Sequence, residues 1–244
     1  LALEQVKQIR TDADRATGDE MPSEAWQVAA GFLGMPVEYD NPSSGRTWLT
    51  WGVAAMCVLI FLGSLAAGLE KTIWGWGFIP AEPFRQFGLT SLTSFFLHGD
   101  WWHILGNLYF LLIFGDNVED ALRPKRFILL LLAATLVGDI LHALGDPRSD
   151  IPCVGASGGI SGVIAFYACR FPRARLGMLF RYFLYFRWFS FPAWGGLVMW
   201  GLLQAFLVYL QTQGYSNVSA LAHLGGAAVG VAFWWWSRKD PATA

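Results

Sequence analysis

Ser157 stands in Gly155-Ala156-Ser157-Gly158 at the head of an apolar stretch, and His223 lies inside another, in Ala222-His223-Leu224-Gly225-Gly226. A hydroxyl beside an imidazole is the minimal equipment for nucleophilic acyl transfer, the imidazole taking the proton as the oxygen attacks. Polar side chains at membrane depth are costly, so two of them flanked by glycines point to function before packing. His103 and Asn107 are four residues apart, hence on one helical face, and both can donate hydrogen bonds to the oxygen of an attacked carbonyl. Ser157 heads its apolar stretch, and the unpaired amides and positive dipole end of a helix beginning there favour a developing oxyanion beside it. No acidic residue is evident to orient His223, so the expectation is a Ser-His dyad.

The elements that must carry these residues are membrane helices. Of 244 residues 55% are hydrophobic and only 14% charged, well below the quarter or so usual in soluble domains. Apolar runs recur at about 48–69, 102–122, 126–145, 157–171, 192–212 and 219–237. A hydrocarbon core of about 30 Å needs about 20 helical residues, so these runs predict an all-α membrane protein with six transmembrane helices. With both termini in the cytoplasm, the inner loops hold Arg46, then Arg123, Lys125 and Arg126, then Arg170, Arg173, Arg175, Arg181 and Arg187, then Arg238 and Lys239. The outer loops hold only Lys71, Arg85 and Arg148, as the positive-inside rule requires. In that arrangement Ser157 and His223 both lie near the outer ends of their helices. Gly158 and Gly162 on one helix, and Gly226 and Gly230 on the other, give facing small-residue ridges that let the two backbones approach.

With these motifs assembled, the chain resembles the rhomboid family of intramembrane serine proteases. Gly155-Ala156-Ser157-Gly158 is similar to the family's GxSG, and Ala222-His223 with Gly226 and Gly230 to its AHxxGxxxG. His98-Gly99-Asp100-Trp101-Trp102-His103 with Asn107 is similar to its HGxxxHxxxN. The resemblance covers about residues 48–237 and implies a six-helix rhomboid-like bundle. It implies Ser157 as nucleophile, His223 as general base and acid, and His103, Asn107 and the Ser157 amide as the oxyanion hole. It also implies transmembrane protein substrates cut where their helices unwind easily, with lateral entry past Phe191–Trp200 and the cap near Ser219. Two positions depart from the family pattern. Phe84-Arg85 stands where a Trp-Arg pair is common, and Ser161 where some members place an aromatic to stack on the histidine.

The rest of the chain divides into a polar extension and linker at 1–46, the helical domain at 47–238 and a short tail at 239–244. The extension is expected to have little core of its own beyond a helical patch around Ala25 to Leu33. Residues 70–101, rich in aromatics and broken by Pro80 and Pro83, read as an interfacial hairpin. Cys57, Cys153 and Cys169 show no metal-binding or redox spacing and are read as inert thiols. Asp139 and His142 are read as a buried polar contact, a cavity wall or a group that tunes His223, outside the catalytic set. Peptide hydrolysis needs no cofactor, and none is expected, nor any metal or nucleic-acid partner. With no targeting segment evident, the expected location is a bacterial inner membrane with the site opening outward. A catalytically dead relative would have lost Ser157 or His223, and a transporter would be expected to show internally repeated halves. Neither trait is present.

Overall fold

The computed structural model describes residues 22, 24–41, 43, 45–215 and 218–238. Its helices are α1 (Ala25–Phe32), α2 (Trp48–Ala67), α3 (Leu69–Trp76), α4 (Thr90–Thr93), α5 (Trp101–Gly145), α6 (Ser157–Arg170), α7 (Ala193–Thr212) and α8 (Ala220–Ser237). Three strands, β1 (Val37–Glu38), β2 (Arg175–Tyr182) and β3 (Tyr185–Pro192), complete it. Among the described residues, α2, α5 and α7 are long and apolar enough to cross a membrane. The 45 residues of α5 would extend to about 68 Å as one rod, far beyond a bilayer. They are instead broken at Arg123, whose φ of 65° and ψ of 159° are not helical. Pro124 explains the break: it offers no N–H and bars the preceding residue from the helical region. The halves match the two apolar runs on either side of the break.

The chain forms two compact units, Ser43–Arg170 with Leu197–Ala244, and Leu1–Pro42 with Phe171–Gly196. The first is built around α5, α6 and α8. A methyl group placed on Gly226 would collide with the Gly158 carbonyl, and one on Gly230 with the Gly162 carbonyl. The paired glycine ridges thus put α6 and α8 in backbone contact. On the third side, a methyl on Gly138 of α5 would lie 2.8 Å from the Ala222 carbonyl, and Ala134 packs against Gly162. Glu119, 1% exposed, holds α2 to this core: its carboxylate accepts from Leu49 N (3.0 Å), Thr50 N (2.7 Å) and Thr50 Oγ1 (2.8 Å). Those amides belong to the first turn of α2, which has no intrahelical acceptors for them. A carboxylate there also complements the positive end of the helix dipole.

The second unit corrects the expectation of a purely α-helical protein. β1, β2 and β3 form an antiparallel sheet in that order, with Val37 opposite Gly177, and β2 and β3 paired from Arg175↔Pro192 to Tyr182↔Tyr185. Residues 172–191 carry arginines that led to the expectation of a cytoplasmic loop, but the Phe, Tyr and Trp between them are strong strand formers. In the N-terminal extension the helical patch expected around Ala25 to Leu33 is present as α1, but the described residues bury more than the little core expected of them. Val37 is fully buried and Ala30, Leu176, Leu179 and Trp188 are buried with it. Gln27 donates to the Glu38 carbonyl at 2.8 Å, and Arg175 pairs with Asp40 at 2.8 Å.

Gly226→Ala is expected to cost about 1–3 kcal/mol through overpacking and to lower the thermal midpoint in detergent. Gly63→Ala, on an open face of α2 with nothing within 4 Å, should leave it unchanged or slightly raised. Equal midpoints for the two variants would refute a backbone contact between α6 and α8.

Candidate active site

Two loop segments fix where α6 begins. Phe78 and Cys153 exchange backbone hydrogen bonds at 3.1 and 2.7 Å, Ala81 N donates to the Ser149 carbonyl (3.0 Å), and Gly155 N donates to the Ser94 carbonyl (2.9 Å). The aromatic segment after α2 thus supports the approach to Ser157. That segment is no simple hairpin: it holds α3, α4 and short 3-10 turns at Arg85–Gly88 and Ser94–Phe96. Arg85, expected to be a departure from a Trp-Arg pair, donates to the Trp74 and Gly77 carbonyls at 2.7 Å each and so closes the end of α3.

Gly155 has φ of +122°, a conformation side chains resist, and a methyl there would lie 2.5 Å from His103 Nε2. Glycine therefore lets the His103 ring lie against the backbone two residues before Ser157. On its other edge, His103 Nδ1 accepts from Gly99 N at 3.4 Å, which leaves the proton on Nε2. Asp100 caps α5 by accepting from His103 N at 2.8 Å. Asn107 is buried and donates one amide hydrogen to the His103 carbonyl at 2.8 Å, which leaves its second hydrogen for another acceptor. His98, almost fully buried, meets the His103 ring edge-on at 5.1 Å between centroids. Burial, with His103 adding to it, pushes the His98 imidazole down to about 4, so it is neutral near pH 7.

Ser157 is the first residue of α6 and His223 lies one turn into α8. Their side chains meet: His223 Nε2 and Ser157 Oγ are 2.8 Å apart. Four of the residues singled out from the sequence therefore converge as two contacts, Ser157 with His223 and His103 with Asn107, with Gly155 between them. Ser161 does not approach the imidazole; its hydroxyl donates to the Ser157 carbonyl at 2.6 Å.

His223 Nδ1 has a partner the sequence reading missed. Gln204 Oε1 lies 2.8 Å from it, on a residue only 4% exposed. The available signal was a lone amide in the middle of the apolar run of α7, where a polar side chain needs a partner on a neighbouring helix. Asp139 and His142 do not pair with each other. His142 Nδ1 lies 2.7 Å from Ser219 Oγ, and Ser219 caps α8 by accepting from Ala222 N at 3.4 Å. Asp139 is buried, and its Oδ2 has no partner among the described residues. Cys57, Cys153 and Cys169 are free thiols, and burial pushes that of Cys153 up to about 12. No three His, Cys, Asp or Glu side chains converge to hold a metal among the described residues.

These features coincide with the comparisons to known proteins. The family model described as the Rhomboid domain matches residues 87–239, more than half of the chain, so the chain belongs to the rhomboid family. It is 31% identical to the RHOMBOID-like protein 12, mitochondrial, of Arabidopsis thaliana over 62% of this chain and 46% of that one. It is 25% identical to the human presenilin-associated rhomboid-like protein, mitochondrial, over 83% of this chain and 53% of that one. Rhomboid protein 1, mitochondrial, of Saccharomyces cerevisiae is 25% identical over 62% and 42%. The chain spans about half the length of these relatives.

Gly155→Ala is expected to displace His103 and strain the turn by about 1–3 kcal/mol. Its thermal midpoint should fall, and Ser157 should react more slowly with a fluorophosphonate. Labelling as fast as in the wild type would show that His103 does not serve the serine.

Proposed function

We propose that this protein is an intramembrane serine endopeptidase that cleaves transmembrane or membrane-proximal segments of other membrane proteins. The observation that carries the reading is the 2.8 Å contact between Ser157 Oγ and His223 Nε2. It joins a hydroxyl at a helix N-terminus to an imidazole whose far nitrogen is already engaged. Ser157 Oγ attacks the scissile carbonyl carbon while its proton passes to His223 Nε2. Negative charge then gathers on the carbonyl oxygen. The Ser157 amide, the free hydrogen of Asn107 and His103 Nε2–H are the donors proposed to meet it, each worth more in a water-poor site than in bulk solvent. Collapse of the tetrahedral adduct breaks the C–N bond, and the leaving amine takes the proton from His223 Nε2. The acyl-enzyme left on Ser157 is hydrolysed by a water whose proton goes to the same nitrogen. The released products are a new amino end and a new carboxyl end, and Ser157 regains its hydroxyl proton.

The fold reading behind this is six spans: α2, the two halves of α5, α6, α7 and α8, within a domain at about 47–238. α6, with 14 residues, is too short to cross alone, which supports an active site recessed below the surface. The distribution of lysine and arginine supports cytoplasmic termini and a site opening outward, as in a bacterial inner membrane. Substrates would be restricted by the bilayer itself, since a helix must unwind before its carbonyls can leave their own hydrogen bonds.

Purified protein in lipid vesicles is expected to cut a single-span reporter. Ser157→Ala and His223→Ala should each lose about 10³-fold or more in kcat, and the double variant should be little worse than either. Equal cutting by all of them would refute the mechanism. For topology, the three native cysteines are replaced by alanine and single cysteines introduced at Glu82 and Arg238. A membrane-impermeant maleimide should reach position 82 in intact cells and position 238 only after permeabilisation. The reverse pattern would invert the proposed orientation.

A further inference from the structure

α7 makes an unusual use of its one buried side chain beyond the first turn. Ala193, Leu197, Trp200, Gln204, Leu207 and Gln211 follow a 4-3-4-3-4 spacing and form one stripe along the helix. Along α7 only Ala193 and Gln204 are buried. Leu202, Leu203, Phe206 and Tyr209 are all more than half exposed. The inward stripe of a membrane helix is ordinarily apolar or small, yet here its buried centre is an amide. That amide accepts from the His223 ring at 2.8 Å, and one heptad further on Gln211 Oε1 accepts from Ala220 N, in the first turn of α8, at 3.1 Å. Two glutamines on one face of α7 thus reach the helix that carries the imidazole.

The chemistry follows from which nitrogen holds the proton. A neutral imidazole carries one N–H, and it accepts the Ser157 proton at Nε2 only if that hydrogen is on Nδ1. A carbonyl oxygen 2.8 Å from Nδ1 favours that tautomer and stays in place when the ring becomes an imidazolium during attack. An acidic residue does this elsewhere in serine hydrolases. No carboxylate is found at His223 Nδ1 among the described residues.

We propose that Gln204 is a positioning residue that sets the tautomer and orientation of His223. The proposal rests on the protease reading above.

The test uses full-length protein in lipid vesicles, with wild type, Ser157→Ala, Gln204→Leu and Gln204→Glu. A fluorophosphonate first establishes whether Ser157 is nucleophilic. Wild type no better labelled than Ser157→Ala would overturn the protease reading and the proposal together. Given labelling, Gln204→Leu is expected to lose about 10- to 100-fold in labelling rate and in kcat on the reporter, with KM unchanged. That is part of the roughly 10²–10⁴ a positioned general base contributes. Gln204→Glu, which keeps an oxygen at the same reach, should recover most of the loss. Labelling of Gln204→Leu at the wild-type rate, or a loss confined to KM, would overturn the proposal alone. Should Gln204→Leu fail to fold, the wild type still decides. In ¹⁵N-histidine-labelled protein, with the His223 signal assigned by its absence from a His223→Ala sample, the neutral ring should carry its hydrogen on Nδ1. A hydrogen on Nε2 would refute the role of Gln204.

Discussion

The structure depends on a contact between two backbones. Ser157 and His223 are sixty-six residues apart, and neither side chain is long. They meet because α6 and α8 have no Cβ atoms where they cross, so the Gly158 and Gly162 carbonyls occupy the space that side chains at 226 and 230 would otherwise fill. In lipid no hydrophobic force draws two apolar helices together, and close packing supplies the attraction instead. The same contact therefore stabilises the helical core and sets the spacing of Ser157 and His223.

Around that contact, polar side chains end and anchor the helices. Glu119 satisfies the first amides of α2, Asp100 caps α5, Ser219 caps α8 with His142 behind it, and Arg85 closes α3. Each of these side chains lies outside the Ser157–His223 pair, and each fixes an element on which the pair or its loops depend. An unpaired buried amide costs about 1–3 kcal/mol, which the buried Glu119 carboxylate avoids at the start of α2. Asp139 Oδ2, Thr90 Oγ1, His98 Nε2 and Arg85 Nε are the buried side-chain atoms left without a hydrogen-bond partner among the described residues, and the structure offers no physical account of them.

α7 contrasts with this core. It is apolar enough to cross a membrane, its side chains are largely exposed, and the core contacts identified for it run through the amides of Gln204 and Gln211. A helix held by hydrogen bonds moves at less cost than one locked by interdigitated glycines. The contact of α7 with His223 and the glycine-packed centre of the bundle are thus built from different interactions.

Much of this was legible in the residues themselves. The apolar runs located the helices because a bilayer tolerates little else, and the break in α5 falls between two of those runs, where Arg123, Lys125 and Arg126 had marked a loop. Ser157, His223, His103 and Asn107 stood out because polar groups in apolar runs need a reason. The glycine pairs showed which faces would meet, since only missing side chains permit that approach. The sheet of β1, β2 and β3 was not legible, because its arginines read as a solvated loop and its pairing partner lies in a segment far away in sequence. Nor was the partner of His223. One glutamine among apolar neighbours shows that a hydrogen bond must exist, but only the packing of α7 against α8 decides with which group. Local composition fixes what each segment must do in lipid, whereas contacts between distant segments depend on helix rotation and depth, and those are settled by tertiary packing alone.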